Sequence, residues 1–389
     1  MNCSNLIDWG YYIPASSTGS CAFFYNQGAQ RMIDVHISLN KRYFKNPLSK
    51  VLQDGGSHVP AQQDVVVQNG CRVCGTCPIC DCSSQFLRFP FKSSVQARWV
   101  HDESSNRTTP RKMYPEAVIV SRYDDHNPFF HLSLMMNAWS IRAHLTSSSR
   151  TIMVLGEKVT QKLDSLWSSL FNATVLYSDD LPTPFSVHNS WFVRSEYRSP
   201  IMHELDAHSL RCHRKSVMIQ SFFSDAIHAM GARASIEQRI TFIRRQHYQV
   251  KGKYRTIGRR LVNENKIIKS TRRAFPHMIV EGVFMEGLEQ RQQISLMQRS
   301  KFVIGMHGAG MVNVGFMNSG GVVIEIFPRL KRRYGYRNIC AYLGIEYHEY
   351  RGGIDRGPLM DKIIDVYQWD TYLRQFYSRT LNRDIVNTQ

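Results

Sequence analysis

The chain has 389 residues, too many for one comfortable hydrophobic core, so two domains of ordinary size are expected. A hydrophobic fraction of 43% and an aromatic fraction of 11% exclude a disordered chain; no apolar run reaches the roughly 18 residues that would span a bilayer. Lysine and arginine outnumber aspartate and glutamate by 49 to 31, a net charge of +18, which favours nucleotides, nucleic acids or membrane surfaces as partners.

The opening residues, Met1 to Trp9, lack the basic and apolar regions of a signal peptide, so either the protein is not secreted or its true start lies upstream. Asn2, Asn106 and Asn172 each begin a glycosylation triplet, a weak pointer to a lumenal protein. Residues 1–90 carry scattered Gly, Ser and Pro without sustained periodicity and read as an irregular N-terminal region. Five of the nine cysteines fall in its one sharp feature, Cys71, Cys74, Cys77, Cys80 and Cys82. Repeated C-x-x-C spacing suits zinc or an iron–sulfur cluster, but no second ligand pair follows, and a disulfide-linked loop involving Cys3 or Cys21 fits as well.

From residue 91 the pattern becomes α/β. Ala117 to Ser121 reads as a strand, Phe129 to His144 as a buried helix with Pro128 in its first turn, and Thr151 to Leu155 as a second strand. Val159 to Phe171 follows as a helix and Ala173 to Tyr177 as a third strand; this alternation implies a parallel, doubly wound sheet. Lys215 to Met230 is helical, with Gly231 as its stop and no evident capping residue, and closes a first domain over 91–235.

The second domain, 236–389, opens with the strand Arg239 to Arg245 and a basic segment whose cations include Arg255, Arg259, Lys266, Lys269 and Arg272. A strand His277 to Phe284 and a helix Leu288 to Met297 lead to Phe302-Val-Ile, where a buried strand gives way to His307-Gly-Ala-Gly310 and a helix from Met311. A helix N-terminus just past a parallel strand suits the phosphates of a nucleotide. Val322 to Phe327 is the next strand, and the acidic Glu325 inside it must meet a ligand hydroxyl or a basic partner. Tyr336 to Leu343 reads as a helix, Gly344 to His348 as extended chain, and Leu359 to Tyr377 as a terminal helix that could pack back on the first domain.

Arg239-Ile-Thr-Phe-Ile-Arg-Arg245, Arg259 to Glu264, Phe302 to Asn313, Val323 to Pro328 and Leu343 to Tyr347 together resemble glycosyltransferase family 61. That family holds EGF-domain-specific O-GlcNAc transferases of the endoplasmic reticulum, O-mannose GlcNAc-transferases, and plant xylan xylosyl- and arabinosyltransferases. The resemblance runs from about residue 115 to about residue 350, and Asp124-Asp-His-Asn-Pro-Phe-Phe-His131 is similar to the family's Asn…His element.

The resemblance implies a GT-B-like fold, two Rossmann-like domains with parallel sheets facing a cleft. It also implies an inverting transfer of GlcNAc or a pentose from a UDP-sugar to a protein-linked or polysaccharide acceptor, with no metal or other cofactor required. Within it Arg244, Arg245 and Arg259 would balance the diphosphate charge, the turn His307, Gly308, Ala309 and Gly310 with Asn313 would cradle it, and Glu325 would accept from ribose hydroxyls. The base is expected at Asp125 or His131, then Asp124. A Golgi or endoplasmic reticulum lumen would follow, with a membrane anchor outside this chain. Two other readings stay open: a non-catalytic glycan- or nucleotide-binding protein on the same fold, and nucleic-acid binding through the basic segment, although no recognised nucleic-acid-binding motif is present.

Overall fold

The computed structural model describes residues 112–121, 127–142, 145, 150–155, 164–178, 180–182, 185–193, 199, 201, 216–232, 237–250 and 253–386. It also gives the backbone of short strands at 12–14, 21–23, 29–39, 65–68, 71–74, 77–81 and 97–100. The chain divides into two compact units, Met1–His203 with Ser216–Met230, and Glu204–Lys215 with Gly231–Gln389.

The first unit is built on β1 (Ala29–Leu39), β2 (Met113–Ser121), α1 (Pro128–Ser140), β3 (Arg150–Leu155), α2 (Asp164–Phe171), β4 (Thr174–Tyr177), β5 (Phe185–Val193) and α3 (Val217–Ala229). Strands β4, β3, β2 and β5 lie side by side and parallel, and β1 joins β5 antiparallel. Ala117 to Val120 are fully buried, which is why β2 is a continuous β-branched run rather than an alternating one. Helix α1 is buried along its length from His131 to Ser140, its polar residues Ser133, Asn137 and Ser140 included. Asn127 caps it, accepting from the Phe129 N–H at 3.1 Å, with Pro128 in the first turn as expected. Helix α3 does have a cap that sequence reading overlooked, since the Ser216 hydroxyl accepts from the Ile219 N–H. Strand β5 was likewise not anticipated, nor were β1 and the other short strands of the stretch read as irregular.

The second unit holds β6 (Arg239–Arg244), α4 (Glu264–Ala274), β7 (Ile279–Phe284), α5 (Gln290–Arg299), β8 (Phe302–Met306), β9 (Val322–Ile326), α6 (Gly335–Leu343), β10 (Glu346–Tyr350) and α7 (Val366–Val386). Its main sheet has five strands, all parallel, in the order β7-β6-β8-β9-β10. Every residue of β8 and β9 is buried, because helices cover both faces of a parallel sheet. Phe242, Ile304 and Ile324 from the sheet pack with Ile267 of α4 and with Trp369, Leu373 and Phe376 of α7 in one core. Trp369 is fully buried and its indole N–H donates to the Thr271 hydroxyl at 3.0 Å, tying α7 to α4.

Helix α7 starts at Val366, not Leu359. Residues Ile354–Arg356 and Asp361–Ile363 instead pair as an antiparallel hairpin. Gly353 and Gly357 take positive φ of 86° and 64° there, backbone that a helix cannot accommodate.

Candidate functional site

A parallel sheet ordered 2-1-3-4-5 reverses direction between its first and third strands in sequence, and ligands collect outside the carboxyl ends at that point. In the second unit those strands are β6 and β8, so the crevice lies between Arg244-Arg245 and His307-Gly308.

The two adjacent arginines diverge. Arg244 turns to α4, where Nε meets Glu264 Oε2 at 2.5 Å and Nη2 meets Asn265 Oδ1 at 3.2 Å, with the guanidinium 4.5 Å from the Phe284 ring centre. Burial pushes the Glu264 carboxyl up while the Arg244 guanidinium pulls it back. Arg245 turns to the glycine turn: Nη2 donates to the Gly258 carbonyl at 3.2 Å, and the guanidinium lies where a Cβ on Gly308 would have to go.

That contact explains one glycine. Gly308 has φ 173°, extended backbone open to any residue, so its lack of a side chain serves the arginine and not the backbone. On the diphosphate role that the resemblance implies for this turn, we expect Gly308→Ala to displace the guanidinium and weaken UDP binding about tenfold by calorimetry, with the melting temperature nearly unchanged.

The His307 N–H continues the sheet, donating to Ile326 O at 2.8 Å, and is therefore not offered to a phosphate. Beyond it the chain enters a 3-10 helix, Ala309–Phe316, where an α-helix from Met311 was expected. The Gly308 carbonyl accepts from the Met311 N–H at 3.0 Å and the Tyr336 hydroxyl at 2.8 Å, while Asn313 Nδ2 closes the first turn on Gly310 O at 3.0 Å. The opening N–H groups of this helix, on Ala309 and Gly310, have no acceptor within it.

Glu325 is fully buried on β9. Its Oε1 lies 2.6 Å from His307 Nδ1, and its Oε2 accepts from the Tyr347 hydroxyl of β10 at 2.6 Å. Both oxygens are thus engaged inside the protein, and reaching a ribose hydroxyl would require giving one up. Burial, and then the charge of Glu325, push up the hydroxyls of Tyr347 and Tyr336 and the buried thiol of Cys340, so all three stay protonated at neutral pH. The His307 ring stacks on Phe327 at 4.7 Å and 17°, and the Arg351 guanidinium lies 4.6 Å from the centre of the same phenyl ring. Tyr336 and Tyr347 were missed in the sequence; Tyr347 reaches Glu325 because the β9–β10 register sets it level with Val323, two residues before Glu349 opposite Glu325.

Arg259 is held by the hairpin that replaces the expected helix start. Its φ is 61°, its N–H donates to Leu359 O at 2.8 Å, and Asp361 accepts from both the backbone and the guanidinium of Arg260. Arg259 follows Gly258, whose carbonyl accepts from Arg245, and the charges of both arginines act on the Tyr336 hydroxyl. The second unit therefore assembles Arg245, Arg259, His307, Gly308 and Glu325, and turns Arg244 elsewhere.

In the first unit, His131 lies within α1 and is 2% exposed. Its Nε2 accepts from the indole N–H of fully buried Trp167 at 2.7 Å, with Asp164 Oδ1 at 3.4 Å. That nitrogen serves the core. Replacing His131 by Ala strands the indole N–H and opens a cavity, so a loss of about 2 to 4 kcal/mol in denaturant unfolding is expected. Asp124 and Asp125 lie outside the described residues. So do the side chains of the cysteine-rich run, whose segments Cys71–Cys74 and Cys77–Asp81 pair antiparallel.

Among the described residues no group of three or more His, Cys, Asp or Glu side chains could hold a metal ion, and no helix is long and apolar enough to cross a membrane. A family model described as Glycosyltransferase 61 matches residues 116–324. No curated protein matches the chain.

Proposed function

Because the chain belongs to the glycosyltransferase 61 family, a membership that supports a general glycosyl-transfer activity, we propose that it moves GlcNAc or a pentose from a UDP-sugar to a protein-linked or polysaccharide acceptor. The observation that carries this reading is the Arg245 guanidinium laid on the Gly308 turn at the reversal point of a parallel sheet. A cation, helix-opening N–H groups and a backbone without side chains meet there, which is what a diphosphate needs.

The transfer is inverting. The acceptor oxygen attacks the anomeric carbon as the bond to the diphosphate breaks, the electron pair leaves with the diphosphate, and the acceptor's proton passes to a base on the opposite face. Arg245 and Arg259 balance the leaving charge, the work a metal ion would otherwise do. The hydrogen bond from Trp167 to His131 Nε2 favours Asp125 or Asp124 over His131 as the base in this reading. A lumenal Golgi or endoplasmic reticulum compartment goes with this reading.

Thermal melting with UDP, ADP and GDP, followed by a screen of UDP-sugars for hydrolysis, tests it. Protection by UDP with release of UDP from one sugar donor supports transfer. Protection without release supports a nucleotide- or glycan-binding protein that has lost the base. Unchanged melting in saturating UDP and UDP-sugars refutes both.

A further inference from the structure

We propose that Asp361 is a positioning residue for nucleotide binding: by gripping Arg260 it fixes the chain at Arg259 in a left-handed conformation that leaves the Arg259 guanidinium free for a bound diphosphate. The inference rests on the UDP-sugar reading, which takes Arg259 as a binding cation, and adds the hairpin that presents it.

The backbone at Arg259 has φ 61°, and the left-handed residue is this arginine and not its neighbour Gly258. A β-carbon disfavours that conformation, whereas glycine adopts it at little cost. A non-glycine residue stays there only when its surroundings over-determine it, and such residues collect at functional sites.

The hairpin of Ile354–Arg356 and Asp361–Ile363 supplies the restraint. Leu359 O accepts from the Arg259 N–H, Arg260 O accepts from the Lys362 N–H, and Lys362 O accepts from the Val262 N–H, each at 2.8 Å. The Arg260 N–H, which those bonds leave over, donates to Asp361 Oδ1 at 2.8 Å. Asp361 Oδ2 then takes the guanidinium of the same residue, 3.1 Å from Nε and 2.6 Å from Nη2. A Cβ on Gly258 would run into the Leu359 carbonyl, so glycine serves the close approach of the hairpin there. The hairpin is anchored in turn by the fully buried Lys362, whose ammonium donates to Gly352 O at 3.1 Å. Asp361 is 8% exposed, so its carboxylate acts on the chain beside it and is not offered to a ligand.

The two adjacent arginines therefore divide. Arg260 commits its guanidinium to Asp361. Among the described residues the Arg259 guanidinium has no hydrogen bond or ion pair, yet its charge acts on the Tyr336 hydroxyl, which donates to the Gly308 carbonyl at 2.8 Å. Fixed backbone beneath an uncommitted cation lowers the ordering cost of binding an anion. Relaxing φ to the negative side would re-aim the Cα–Cβ bond and carry the guanidinium away from that position.

The test is a double-mutant cycle on calorimetric UDP affinity in the wild type, Asp361→Asn, Arg259→Ala and the double variant, with thermal melting of each. Asp361→Asn keeps the volume and an oxygen for the Arg260 N–H but loses the charge that grips the guanidinium. It is expected to weaken UDP binding about tenfold where Arg259 is present and by less than about twofold where it is alanine. Its effect on the melting temperature should be the same in both backgrounds. Arg260→Met, which keeps Asp361 and removes its partner, repeats the cycle should the amide variant fail to fold. The charge it removes weakens UDP binding alike in both backgrounds, and the excess loss with Arg259 present reads the coupling. Equal losses of UDP affinity in both backgrounds, or no loss in either, overturn the proposal and make Asp361 a brace of the hairpin alone. A wild type that binds no UDP defeats the UDP-sugar reading, and the proposal with it.

Discussion

Arg245→Ala lowers UDP affinity by roughly 30- to 300-fold and removes the thermal protection that UDP gives, whereas Arg244→Ala leaves that protection in place. The two residues are neighbours on one strand end, of one type and one charge, so the contrast isolates geometry. Arg245 is half-buried, packs on Gly308 and donates to the Gly258 carbonyl. Losing it deprives a bound diphosphate of charge-assisted donors. Arg244 answers Glu264 and Asn265, and its loss leaves a half-buried carboxylate without its cation. That variant should unfold at lower denaturant and still bind UDP. Equal losses of UDP affinity in both variants would show that the turn is read by overall positive potential and not by the fork laid on Gly308.

The parallel strands were legible because burial on both faces demands continuous apolar runs, and Phe302 to Ile304 and Val322 to Phe327 end at Gly305 and Pro328. Strand β5 escaped notice because Phe185-Ser-Val-His-Asn-Ser-Trp mixes polar groups into its alternation; Asn189 is buried and donates to Glu116 of β2 at 2.6 Å, a partner 73 residues away. The terminal helix was placed too early because Leu359 to Ile364 has apolar spacing compatible with a helix, while the glycines before it and the left-handed Met360 set a hairpin. At the site, the glycine turn and Arg245 could be found from sequence, since both are local. The partners of Glu325 could not. They depend on the register that sets Gly305 beside Glu325 and Val323 beside Tyr347, and register is fixed by the whole sheet.

Glu325→Ala destabilises the protein by about 3 to 5 kcal/mol, and Glu325→Gln by only about 1 to 2. The alanine strands two buried groups at once, the His307 Nδ1 and the Tyr347 hydroxyl, and leaves a cavity between fully buried neighbours on β9. The amide keeps the volume and presents an oxygen to the imidazole and an N–H₂ to the tyrosine oxygen, so it loses charge and little else. Urea unfolding monitored by far-UV circular dichroism separates the two, provided the slopes agree with the wild type. The comparison also decides what this acid is for. If Glu325 worked chiefly as an acceptor for ribose hydroxyls, both substitutions would weaken UDP binding and neither would move the unfolding midpoint far. A large gap in stability between Ala and Gln instead makes the carboxylate an internal brace for His307 and Tyr347, in keeping with its burial and its two short hydrogen bonds.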